Sequence, residues 1–78
     1  MKLVLVEWVD SCGENRWHAK RDAASLAISR CWSVGAVISE NDDQIVIAPN
    51  GDPAVGNVLY EMAIPRAAIK RMRNLRMR

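Results

Sequence analysis

The chain has 78 residues, half of them apolar and 26% charged, with a formal net charge of +2; this is the balance of a folding chain, and the length allows one thin core and excludes a second domain. The opening apolar run, residues 3–6, which no other run exceeds, falls far short of a secretory hydrophobic region or of the roughly 20 residues of a membrane span. Two cysteines are too few to staple a secreted mini-domain, so both are expected as free thiols in a cytoplasmic protein.

With three Trp, one Tyr and no Phe, burial must come mainly from Val, Ile, Leu, Ala and Met, and each tryptophan counts. Residues 2–9, KLVLVEWV, read as a first strand with Leu3, Leu5 and Val9 on one face and Val4, Val6 and Trp8 on the other. Asp10, Ser11 and Gly13 end it in a turn that includes Asn15. Asp22 is a good helix N-cap, and Ala24, Ala27, Ile28 and Cys31 make a weak apolar stripe. One short helix is therefore expected over residues 22–30, marginal unless it docks on the sheet.

Residues 32–38 alternate, with Trp32, Val34, Ala36 and Ile38 on the face expected to be covered. Gly35 inside this strand points to a bulge or a close backbone approach. The polar run of Glu40, Asn41, Asp42 and Asp43 then turns the chain into residues 44–48, completing a hairpin. Residues 49–56, with Pro49, Gly51, Pro53 and Gly56, read as a loop without regular structure. Residues 57–64 alternate again, with Val58, Tyr60, Met62 and Ile64 inward, and Pro65 stops the strand because it lacks a ladder amide.

The C-terminal segment admits two readings. Ile69, Met72 and Leu75 recur at three-residue spacing, which suits a helix opening at Pro65. A single tight turn over residues 65–68 followed by a closing strand over residues 69–75 also places them. Charge is concentrated here: residues 62–78 hold Arg66, Lys70, Arg71, Arg73, Arg76 and Arg78 and no acid, which is +6. Residues 1–61 hold five Lys or Arg against nine Asp or Glu, which is −4.

The string VEWVDS, Trp17, CWSVG, the hairpin over residues 40–48 and IPRAAIKRMRNL resembles a family of short uncharacterised proteins of tailed bacteriophages and prophages, over nearly the whole chain. That resemblance implies a phage or prophage source and no particular activity. The ending IPRAAI followed by Met72 and Leu75 is also similar to the close of small Sm-like and Src-homology-three-like barrels. That implies that an Ile-Pro pair ends strand four, one helical turn follows, and a short strand closes the barrel. Asn74, the arginines after Ile69 and the helix between the first two strands depart from the pattern. The expected fold is mostly β: a small five-stranded half-open barrel with one short helix between strands 1 and 2. The alternative is a four-stranded sheet with a C-terminal basic helix. All 78 residues form one domain, with residues 76–78 a frayed basic tail.

Catalytic and cofactor chemistry find little footing. Cys12, His18 and Cys31 lack zinc-ligand spacing and a fourth ligand, and Cys12 with His18 lacks an orienting third group. Glu7 and Asp10 straddle opposite strand faces, Asp42 and Asp43 sit in a turn, and no glycine-rich loop joins a strand to a helix. No catalytic, cofactor or metal residue is assigned, and no cofactor is expected. The reading is a non-enzymatic module that engages a host or phage protein, with self-association through unpaired strand edges a further expectation. The alternative is nucleic-acid binding through Lys70, Arg71, Arg73, Arg76 and Arg78, with Trp17 and Trp32 as candidate stacking faces. Membrane binding is not expected, because the basic segment lacks an aromatic-rich apolar face.

Overall fold

Strand β1 (Leu3–Asp10) behaves as its alternation requires: Val4 and Val6 are buried, and Leu3, Leu5 and Glu7 on the other face are half-buried. In the computed structural model, which describes residues 1–76, β1 pairs over its whole length with β2 (Ser29–Glu40), from Leu3 opposite Ala36 to Asp10 opposite Ser29. β3 (Gln44–Ala48) follows β2 through the expected hairpin. Asn41 shapes its turn, its Oδ1 accepting from the amides of Asp43 at 2.8 Å and Gln44 at 3.0 Å. Two short strands, β4 (Asn50–Asp52) and β5 (Asn57–Leu59), pair only with each other. β6 (Met62–Pro65), a 3₁₀ turn (Arg66–Ala68) and β7 (Ile69–Leu75) complete the chain.

The main sheet is five-stranded and antiparallel, in the order β6-β3-β2-β1-β7. Its edge strands are joined by one 3₁₀ turn. Pro65 and Ile69 can therefore lie at most about 14 Å apart, whereas five flat strands would separate the edges by roughly 19 Å. The sheet must curl, yet β6 and β7 do not pair, so no closed barrel forms. The concave side holds the core of Val4, Val6, Ile45, Ile47 and Ile64, against which Trp8, Val37, Ile69 and Met72 pack. Each fully buried aliphatic side chain contributes about 1.5–3 kcal/mol, so a core this small rests on few residues.

Gly35 is buried under the bend of β2, where an added Cβ would stand 2.8 Å from the carbonyl oxygen of Ala48. This is a close backbone approach, and the bulge falls later, between Val37 and Ser39. Arg66 pins the crossover to the hairpin. Its amide donates to the Asp43 carbonyl at 2.9 Å, its Nε to the Asn41 carbonyl at 3.0 Å and its Nη2 to Glu40 Oε1 at 3.0 Å.

Several expectations are corrected. The helix does not span residues 22–30: α1 is Lys20–Ala23, Ala19 rather than Asp22 precedes it, and Ser29 and Arg30 belong to β2. With no buried residue, the helix has no surface to dock on, while β1 offers a full ladder to residues 29–36. The segment expected to lack regular structure forms the β4–β5 hairpin. Its turn is set by Asp52, which accepts from the Ala54 amide at its side chain and the Gly56 amide at its carbonyl, with Gly56 at φ 73°. The strand expected over residues 57–64 breaks at Tyr60, whose φ is 62°, and of its expected inward residues only Ile64 is buried. Trp32, Val34 and Ile38 are exposed on the convex side instead of covered. The C-terminal basic helix, and the four-stranded sheet that went with it, are ruled out by β7.

Candidate nucleic-acid interface

β7 carries the basic segment on the free edge beside β1. Directly paired residues of an antiparallel ladder share a face, so the register lays out the convex side row by row. Leu3 lies between Ala36 and Leu75, Leu5 between Val34 and Arg73, and Glu7 between Trp32 and Arg71. Val9 stands beside Arg30. One end of this surface is therefore apolar and the other aromatic and basic.

Trp32 is 72% exposed and stands at the centre of the basic end. At the usual strand spacing, Arg71 lies about 10 Å from it across Glu7, and Arg30 lies two residues along its own strand. A hollow of about 350 Å³ opens here, lined by Glu7, Trp8, Val9, Arg30, Trp32 and Lys70 among others. Lys70 is the extra residue of a bulge, since Glu7 pairs with Arg71 and Trp8 with Ile69; such an insertion re-aims a side chain at a sheet edge. Among the described residues both ion pairs use Glu40, with Lys2 at 3.2 Å and Arg66 at 3.0 Å. Arg30, Lys70, Arg71 and Arg73 enter neither.

Of the residues the sequence singles out, Lys70, Arg71, Arg73 and Arg76 are all exposed, with Arg71 and Arg73 on the convex face and Arg76 just past β7. Arg78 lies outside the described residues. Trp32 joins the arginines and Trp17 does not: it stands fully exposed in the segment between β1 and β2. Arg30 belongs to the site and was missed by sequence reading, because it was assigned to the end of a helix. The period-two pattern of Cys31, Ser33 and Gly35 against Arg30, Trp32 and Val34 is the signal that finds it. Trp8, by contrast, turns inward and donates its indole N–H to Ser33 Oγ at 3.1 Å.

A second, larger hollow of about 780 Å³ lies at the apolar end, between the convex face and the β4–β5 hairpin. Met1, Leu3, Val34, Ile38, Pro49 and Val58 contribute to its walls. Of the two thiols, Cys12 is exposed beyond β1, and Cys31, half-buried in β2, lines the smaller hollow beside Trp32. Among the described residues no three His, Cys, Asp or Glu cluster as metal ligands, and no helix is long and apolar enough to cross a membrane. No family model, curated protein or solved structure matches the chain.

Proposed function

We propose that the chain is a non-enzymatic binding module, a half-open barrel whose convex face takes single-stranded nucleic acid at its aromatic and basic end. The observation that carries this reading is Trp32, an uncovered indole on a sheet face with Arg30, Arg71 and Arg73 around it and Glu7 as the one acid among them. A base stacks on an exposed indole whatever its identity, and guanidinium groups beside it meet the flanking phosphates. An unpaired strand is favoured over a duplex, whose bases are already stacked on one another. The phage or prophage source and the bacterial cytoplasm remain part of the proposal and rest on the sequence reading alone.

Fluorescence anisotropy of a labelled twelve-nucleotide strand tests it. Wild type should bind at about 50 mM salt and weaken as salt rises, by roughly 0.7 log units per decade for each phosphate contacted. Arg71→Gln with Arg73→Gln should flatten that slope, and Trp32→Ala should weaken binding about 5- to 150-fold at any salt, the equivalent of one base stack. No retention of any strand at about 50 mM salt, where phosphate contacts are least screened, ends this reading.

A protein partner, which the sequence alone puts first, has its own support in the apolar hollow beside the β4–β5 hairpin.

A further inference from the structure

Residues 11–28 form an arm between β1 and β2 in which every residue is exposed. Its hydrogen bonds are local: the Ser11 amide donates to Asp10 Oδ1, and the others link residues 19–26 to one another. It nevertheless carries Trp17, fully exposed, with Leu26 and Ile28, about half exposed each. The arm belongs to an elongated molecule. The radius of gyration is 16.2 Å and the extents are 53 × 26 × 24 Å, against about 11.5 Å for a compact domain of this length. A chain with so small a core thus leaves one of its three tryptophans wholly in water, while an apolar groove stands open elsewhere on its surface.

The groove and the arm lie at opposite ends of the sheet. The arm leaves from Asp10 and re-enters at Ser29, which are paired; the groove lies around Leu3 and Ala36, also paired. Seven residues of strand, about 24 Å, separate the two ends. Two copies placed antiparallel bring the arm of each to the groove of the other, and this arrangement closes on itself by two-fold symmetry. We propose that the groove between the convex face and the β4–β5 hairpin receives the arm of a second copy, with Trp17, Leu26 and Ile28 as the inserted residues.

Size and charge fit this occupant. The eighteen residues of the arm and the fifteen that line the groove are enough for a standard interface, which uses roughly 20–30 residues a side. The groove has Asp52 and no cationic side chain in its lining, and the arm brings Arg16, Lys20 and Arg21 against Glu14 and Asp22. Apolar contact supplies the association, and the arm, with three cations against two acids, meets the single carboxylate of the groove. The inference deepens the protein-partner reading. It stands apart from the nucleic-acid reading, whose Arg30, Trp32 and Arg71 lie toward the other end of the face and only whose Arg73 shares a row with the groove's Val34, so strand binding can fail while association holds, and the reverse.

Sedimentation equilibrium tests it on the whole chain with three samples. Wild type should reach a dimer's mass with rising concentration. An arm variant, Trp17→Ala with Leu26→Ser, and a groove variant, Val34→Asp with Ile38→Asp, should each stay monomeric. An equimolar mixture of the two should regain a dimer, because it contains one intact arm and one intact groove. The substituted residues are exposed in the single chain, so the fold should survive; circular dichroism checks this, and Val58→Asp serves if the groove variant does not fold. The proposal is overturned if wild type remains a monomer up to about 1 mM, the weak limit of specific association. It is equally overturned if either variant dimerises like wild type, or if the mixture stays monomeric throughout.

Discussion

Trp8 and Trp32 show how one residue's role follows from which side of a strand it takes. Trp8 stands opposite Cys31 and Trp32 opposite Glu7, so the two indoles leave neighbouring ladder positions on opposite faces. Trp8 packs on the core and satisfies its N–H on Ser33. Trp8→Ala should cost about 3 kcal/mol in urea unfolding, the low end for a tryptophan because the ring is only partly covered. Trp32→Ala should stay within about 0.5 kcal/mol, as a surface change does. A larger loss at Trp32 than at Trp8 would mean that the convex side is the covered one. Neither tryptophan's role is legible from its own neighbours in sequence, since both strands alternate with apolar residues on both faces.

At the scale of elements, the bend of β2 and the identity of β7 matter most. Gly35 lets the Ala48 carbonyl approach where any Cβ would collide with backbone. Gly35→Ala should therefore lower stability by about 1–3 kcal/mol, as overpacking does. Gly13, with open space around it, is the control: Gly13→Ala should be neutral or stabilising by up to about 1 kcal/mol. Equal losses at both positions, read from thermal melts, would remove the close approach as the reason for glycine in β2. In β7 the three-residue spacing of Ile69, Met72 and Leu75 imitates a helix for two reasons: the bulge at Lys70 puts Ile69 and Met72 on one face, and ordinary alternation puts Leu75 on the other. Ile69 and Met72 reach the core, while Leu75 pairs with Leu3 on the convex face. A bulge shifts strand alternation by one, which is how a strand acquires an apparent helical period.

Over the whole molecule, Glu40 ties together three distant parts of the chain: the N-terminal Lys2, the β2–β3 hairpin it belongs to, and Arg66 of the 3₁₀ crossover. The hydrogen bond from Arg66, and next that from Lys2, holds the Glu40 carboxyl below the usual carboxylate range. A carboxyl whose pKa is lower folded than unfolded contributes stability above the unfolded value and loses it as pH falls through the folded one. Wild type should accordingly lose more stability than Glu40→Gln as pH drops from about 5 to 3, with the two melting curves converging at the acid end. Exposure of the pair keeps the gap small at neutral pH. Parallel curves across the whole range would show that the tie contributes nothing.

The sequence by itself left the choice after Pro65 between a helix and a tight turn into a strand, but it determined the mostly β class, the β2–β3 hairpin with its Asn41 turn, and the end of β6 at Pro65. Each of these is written in residues that act locally, through a turn side chain, a missing amide or alternation. The positions of Lys70, Arg71, Arg73 and Arg76 on an exposed surface followed as well, because clustered charge cannot be buried in a core this small. Only the tertiary structure decided which face of β2 turns inward, that Arg30 and Trp32 join the arginines, that residues 50–59 pair as a separate hairpin, and that the arm from residue 11 to residue 28 finds no cover. Those outcomes depend on which strand lies alongside and how the sheet curls. A side chain in an alternating strand is buried by its partners, and its partners are chosen by the whole chain.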